Sequence, residues 1–168
     1  MKKLNLVLIL LVILTLGYKL DIVKAYTAPP CLESEVMVDT GNGFGSGNTK
    51  VRRFANVDIN VGSDITYADS ATDGASFTIN TNGIYTISYT DYRGDSGDSA
   101  GVAVNSSTLG SLSGNSNVFC VFSPNPTNIH NCSVTVILSS GDVISAVWST
   151  AGFSDSQATT RLLITKIR

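Results

Sequence analysis

Charge is scarce in this chain of 168 residues: Asp, Glu, Lys and Arg make up 14% of it, and Glu33 and Glu35 are the only glutamates. Eleven basic residues against thirteen acidic ones give a formal net charge of −2. With no positive field to gather phosphates, a nucleic-acid partner is not expected. A single histidine, His130, and three cysteines do not compose a zinc-binding set. Beyond residue 26 no helix start signal leads into an apolar stripe of helical period, no segment repeats, and no Gly-x-y stem occurs. In place of the Glu, Lys and Ala that long helices favour stand Ser, Thr, Asn and 15 glycines. That composition belongs to a sheet protein rich in turns, and the length suffices for one domain with a sizeable core.

The one long apolar run stands at the N-terminus. Lys2 and Lys3 precede it, Leu4 to Gly17 form it, and Val23-Lys24-Ala25 offers a cleavage point. This is the layout of a secretory signal peptide over residues 1–25. The run is shorter than the ~20 residues a spanning helix needs. Lys19, Asp21 and Lys24 make the stretch before the cleavage point polar, so an uncleaved signal-anchor is the alternative. Ala28-Pro29-Pro30 is not the small-residue box that precedes a lipidated cysteine at Cys31. The expected mature chain starts near Tyr26, is secreted or held at the cell surface, and has no transmembrane segment once the signal is removed.

Export makes the cysteines readable. Cys120 and Cys132 flank Pro124-Asn125-Pro126, a turn signal between two apolar runs. A bridge between them would staple a hairpin-like loop and stabilise it by roughly 2–3 kcal/mol; two free thiols are the alternative. Cys31 is left over, either free or joining chains.

Residues 26–49 read as a flexible lead-in. Within them "GNGFGSGN" fails as a phosphate cradle, because no Gly-Lys-Ser/Thr opens a helix after it, and it reads as a flexible turn. From Lys50 onward the apolar period is two. Strands are expected at 51–59, 64–67, 75–80, 84–92, 100–105, 118–122, 132–138, 143–149 and 160–167, with Gly, Asn, Asp or Pro clusters between most of them. "ASFTINTNGIYTISYT", residues 75–90, is expected to be two adjoining strands of one antiparallel sheet around Asn82-Gly83. Gly83 would supply a turn position free of a Cβ. "SVTVILSSGDVISAVW" reads as a second such pair around Ser140-Gly141-Asp142.

Three blocks in this order resemble the globular heads of the complement component 1q and tumour necrosis factor superfamily. The first is Phe77 followed, after five residues, by Gly83-Ile84-Tyr85-Thr86-Ile87-Ser88-Tyr89. The second is Gly101-Val102-Ala103-Val104-Asn105, and the third Leu138-Ser139-Ser140-Gly141-Asp142-Val143-Ile144, with a closing strand from Arg161 to Ile167. "GFGSGNTKVRRF" and "DITYADSATDGASFTI" also look like jelly-roll modules of bacterial and phage-tail-associated proteins. The resemblance covers about residues 50–168. Ser70 and Ile65 depart from the complement branch, where an aromatic or Leu and an Asn or Asp are usual. It implies an all-β, antiparallel jelly-roll sandwich of about eight to ten strands, with Phe77, Gly83, Tyr85, Tyr89, Asn105, Gly141 and Asp142 as fold-defining positions. It also implies a homotrimer with an aromatic-lined seam, for which Phe77, Tyr85 and Tyr89 are candidates; ordinary packing in the domain core is the alternative.

"DYRGDSGDSAG", residues 91–101, holds the remaining chemistry. Gly94-Asp95-Ser96-Gly97 starts like the nucleophile motif of trypsin-type proteases, but Asp98-Ser99 follow where Gly-Pro should, and the lone His130 comes after the serine in chain order. Arg93-Gly94-Asp95 spells an integrin-read tripeptide that short Gly- and Asp-rich loops produce by chance. Asp91, Asp95 and Asp98 are oxygen donors of the kind a calcium ion takes, and equally the residues of a solvated turn. Asp91, Arg93, Asp95 and Asp98 are therefore the candidate ligand-loop residues, with calcium the one cofactor to consider. The expected function is non-enzymatic: a secreted binding or structural module presenting loops to a carbohydrate or protein ligand at a surface. The alternative is a small jelly-roll enzyme acting on glycans through loop aspartates.

Overall fold

The computed structural model describes residues 34–92, 99–106, 111–122, 129–150 and 156–167, all within one compact unit, Leu32–Arg168. Ten strands follow in chain order: β1 (Ser34–Phe44), β2 (Arg52–Val61), β3 (Ile65–Ser70), β4 (Gly74–Ile79), β5 (Gly83–Tyr92), β6 (Ala100–Val104), β7 (Val118–Phe122), β8 (Ile129–Leu138), β9 (Val143–Trp148) and β10 (Ser156–Lys166). They form two five-stranded sheets, β2-β1-β10-β5-β8 and β3-β4-β9-β6-β7, and every pair is antiparallel. This is the expected jelly-roll sandwich, at the upper end of the expected strand number. No helix among the described residues is long and apolar enough to cross a membrane.

Alternation explains why these residues form these strands: side chains two apart share a face, so each strand turns one row inward. Tyr85, Ile87 and Tyr89 of β5 meet Leu162 and Ile164 of β10 and Val36 and Val38 of β1, while Phe77, Ile79, Val102, Ile144 and Trp148 line the opposing sheet, all buried. Phe54 meets Phe77 edge-on at 6.3 Å between ring centres. Each such side chain, taken fully from water, contributes on the order of 1.5–3 kcal/mol. Phe77, Tyr85 and Tyr89 are 0% exposed, so the aromatics named for a seam or a core belong to the core.

Two expected hairpins are arches instead. β4 pairs with β3 and β9, whereas β5 pairs with β10 and β8, so residues 80–82 carry the chain from one sheet to the other. β8 and β9 are divided in the same way. Gly83 opens β5 and is not among the glycines at positive φ; Gly141, at φ 95°, is the one in these crossings whose backbone favours glycine. Both arches are pinned together: the Gly141 N–H donates to the Ile79 carbonyl at 2.8 Å, and the Ser140 N–H to Asn82 Oδ1 at 2.8 Å. The disulfide Cys120–Cys132 is formed, with Cα atoms 6.0 Å apart. It does not staple a hairpin; it joins β7 and β8, edge strands of different sheets.

The expected lead-in also changes status. Residues 34–44 form β1, which lies between β2 and β10. "GSGN" then packs as a strap: the Ser46 N–H donates to the Ala71 carbonyl, and those of Gly47 and Asn48 to the Thr72 carbonyl, all at 2.8–2.9 Å. A Cβ on Gly45 would lie 2.5–2.7 Å from the backbone of Thr72 to Gly74, so glycine here serves close approach. Val51 then bridges to Val147 and joins Ala103, Leu112 and Val147 in a second apolar cluster, separate from the main core.

Candidate functional site: a buried polar network at one end of the sandwich

At one end of the sandwich the inward rows finish in polar residues. The row Tyr85, Ile87, Tyr89 of β5 continues to Asp91; the row of β10 holds Thr160 before Leu162; the row of β2 holds Arg52 before Phe54. Arg52 and Asp91 are each 1% exposed and Thr160 is 0%. A buried charge is stable only when paired and hydrogen-bonded, and this group meets that condition.

Arg52 Nη2 donates to Asp91 Oδ1 at 3.2 Å and to Thr160 Oγ1 at 3.0 Å. Thr160 Oγ1 in turn donates to Asp91 Oδ1 at 2.5 Å, and the Tyr92 N–H donates to the same oxygen at 2.9 Å. Asp91 Oδ2 accepts from the Tyr89 hydroxyl at 2.5 Å and from Trp148 Nε1 at 3.1 Å. The Arg52 guanidinium also lies over the Phe44 ring, 4.9 Å from its centre, and Phe44 meets Trp148 edge-on at 5.8 Å. Burial pushes the Tyr89 hydroxyl well above its ordinary value of 10, and the Asp91 carboxylate adds to that effect; Arg52 opposes it.

These residues stand at the roots of connections. Asp91 and Tyr92 end β5, Trp148 ends β9, and Arg52 opens β2 directly after the strap. The network therefore fixes the ends of β5 and β9 and the start of β2. Beneath the same end, His130 stacks on Phe122 at 6.2 Å and Phe122 contacts Tyr89 at 5.5 Å.

The sequence-expected site residues are thus divided. Asp91 lies inside the sandwich rather than on a ligand loop, because five donors already converge on its carboxylate. A calcium ion at Asp91 would have to displace them. Arg93, Asp95 and Asp98, and with them the tripeptide and the serine motif, lie outside the described residues. Among the described residues no group of three or more His, Cys, Asp or Glu side chains is placed to hold a metal. Arg52, Thr160 and Trp148 went unnoticed in the sequence; the available signal was a polar residue closing an apolar inward row on three separate strands.

A second polar group closes the opposite end. The Asp64 carboxylate accepts from Ser34 Oγ at 2.8 Å, from Lys166 Nζ at 3.1 Å and from the Thr81 hydroxyl. The Thr81 bond first, and then those from Ser34 and Lys166, hold it below the usual carboxylate value. Nearby, Asn105 at φ 56° donates from Nδ2 to Asp142 Oδ1 at 2.7 Å and accepts the Val143 N–H at 2.8 Å. Asn105 thereby ties the end of β6 to the β8–β9 arch through Asp142 and Val143, while Gly141 ties that arch to Ile79.

No protein-family model matches the sequence, and no curated protein sequence matches it. Solved structures do. Murine APRIL at pH 8.0 superposes with a TM-score of 0.57 at 16% identity, over 79% of this chain and 98% of that one. Murine APRIL at pH 8.5 gives 0.55 at 16% identity over the same shares. At pH 5.0 the score is 0.52 at 14% identity, again over 79% and 98%. The likeness is one of fold, the antiparallel jelly roll.

Proposed function

We propose that this chain is an exported, non-enzymatic binding module, assembled as a homotrimer, that presents the loops above the Asp91 network to a protein or carbohydrate ligand. The observation that carries the reading is the network itself. Five donors occupy one buried carboxylate, and the neighbouring tyrosine is held protonated, so these groups anchor loop roots and offer no acid, base or nucleophile to a substrate. The trimer rests on the resemblance of the blocks at residues 77–89, 101–105 and 138–144 to a superfamily of trimeric heads, and export on the N-terminal pattern of residues 1–25.

Size-exclusion chromatography with light scattering tests the assembly, and a glycan array beside a pull-down, each with and without calcium, tests the ligand. A monomer over a wide concentration range would remove the trimer. Hydrolysis of a polysaccharide that disappears in Asp95→Asn would replace the binding module with a glycan-active enzyme.

A further inference from the structure

β7 is weakly held by its own sheet. It has five residues, stands at the edge, and pairs with β6 alone among the described strands. That ladder is bulged: Val102 pairs with Cys120 and Ala103 with Val118, which leaves Phe119 as the extra residue. Gly101 accommodates the bulge, because a Cβ there would collide with the Cys120 carbonyl oxygen. Bulges at sheet edges re-aim side chains. Here the re-aimed residue is Cys120, whose sulfur bonds Cys132 of the facing sheet.

Side chains two apart on a strand share a face. Phe122 therefore follows Cys120 on the inward side of β7, and His130 precedes Cys132 on that of β8. The two rows meet in successive rungs. Cys120–Cys132 is covalent; Phe122 and His130 are stacked, with ring centres 6.2 Å apart and planes 11° apart. The stacked rung lies against the buried network. Phe122 also contacts the Tyr89 ring at 5.5 Å, and β5 pairs Tyr89 with Cys132 and Asp91 with His130. Tyr89 in turn supplies one of the hydrogen bonds on the Asp91 carboxylate.

Both cysteines are half-buried, whereas Phe122 belongs to the main core. A small dithiol can thus reach the bridge from the flank, with the aromatic rung behind it. The opposite flank is closed differently: Arg53 of β2 forms a bidentate ion pair with Asp69 of β3, which no reductant breaks. Reduction therefore acts on one flank of the sandwich only. With the bridge open, β7 is left with its short bulged ladder and the packing of Phe122.

We propose that Cys120–Cys132 is a redox latch on the Asp91 network: reduction frees β7, withdraws Phe122 from Tyr89 and His130, and loosens the ends of β5 and β9 while the other strands stay folded. The latch needs neither a ligand nor a second copy, so it can fail while the binding reading holds. In the reducing step a thiolate of a small dithiol attacks one bridge sulfur. The S–S bond breaks, the other cysteine leaves as a thiolate and takes up a proton, and a mixed disulfide forms. The second thiol of the reagent then gives up its proton, displaces the remaining cysteine, which is protonated in turn, and closes the reagent's own disulfide.

Amide hydrogen exchange followed by NMR tests it on the oxidised protein, on the same protein in dithiothreitol and after reoxidation, and on Cys120→Ser/Cys132→Ser and Phe122→Ala variants. The reporter is the Tyr92 N–H, which donates to Asp91 Oδ1, and the reference is Ile164 in the middle of β10. Expected is Tyr92 exchange at least about tenfold faster in dithiothreitol and in both variants, restored by reoxidation, with Ile164 nearly unchanged. Tyr92 exchange unaltered by reduction overturns the latch. Equal acceleration at Tyr92 and Ile164 overturns it too, since the bridge would then staple the whole fold. Phe122→Ala keeps the bridge, and Tyr92 protection equal to the parent's in that variant overturns the route through Phe122.

Discussion

Gly41 leaves the space that the Arg52 guanidinium occupies. A Cβ at position 41 would overlap the guanidinium, and Arg52 cannot move aside without leaving Asp91 and Thr160. Gly41→Ala is therefore expected to destabilise the fold by about 2–4 kcal/mol, somewhat less than outright loss of a buried ion pair. Urea unfolding followed by Trp148 fluorescence measures it. A change under 0.5 kcal/mol, the size of an ordinary surface substitution, would show that the guanidinium is not held as described.

The same network sets an order among its members. Asp91→Asn turns one acceptor into a donor facing donors and leaves Arg52 buried without its counter-charge, at an expected cost of about 3–5 kcal/mol. Thr160→Val removes one hydroxyl and leaves the ion pair, at an expected cost of about 1–2 kcal/mol. Equal losses for the two variants would argue against a carboxylate-centred network.

Acid acts at the other end of the sandwich. The folded state holds the Asp64 carboxyl below its ordinary value of 3.8, chiefly through Thr81. Its contribution is thus present above pH ~4 and is lost as the pH falls through the lowered folded value. Asp64→Asn is expected to be less stable than the parent at pH 7, with the gap narrowing below pH 4. Chemical denaturation at pH 7, 4 and 2.5 checks this, and a gap that does not change with pH would refute it.

Alkali separates the tyrosines. Tyr67 is pushed up to about 12, first by burial and then by Asp69, and complete burial beside Asp91 raises Tyr89 well above its ordinary value. Because these phenols ionise more easily in the unfolded chain, their stabilising effect is complete below pH ~10 and declines above it. Ultraviolet titration is expected to show Tyr89 ionising only together with unfolding; its reversible ionisation in the folded protein near pH 10 would contradict the burial.

Asn105 occupies a backbone conformation that few side chains tolerate and bonds both Asp142 and the Val143 N–H. Asn105→Ala is expected to cost about 1–3 kcal/mol from those bonds and the αL backbone. Asn105→Gly, which relieves only the backbone, is expected to fall between the parent and Asn105→Ala in thermal stability.

Much of the architecture was legible because alternation is local. Nine of the ten strands follow from runs such as Tyr85, Ile87, Tyr89 and Val134, Val136, Leu138. Sheet membership was not legible. An arch between facing sheets and a hairpin within one sheet both point alternate residues at the same core, so a break such as "INTNGIYT" cannot tell them apart. β1 escaped notice because Gly41 and Gly43 blank out the end of its inward row, Gly41 where Arg52 needs the room. The Asp91 site was half legible. The aspartate stood out, but its partners come from residues 52, 148 and 160, and no short-range pattern joins them.

β10 closes the β2-β1-β10-β5-β8 sheet from the middle: it is the last of the described strands, yet it lies between β1 and β5. Until Lys166 has been synthesised, β1 and β5 have nothing to hold them in one layer. A stop codon or protease cut ahead of β10 would leave two half-sheets, β2-β1 and β5-β8, each with a raw apolar border.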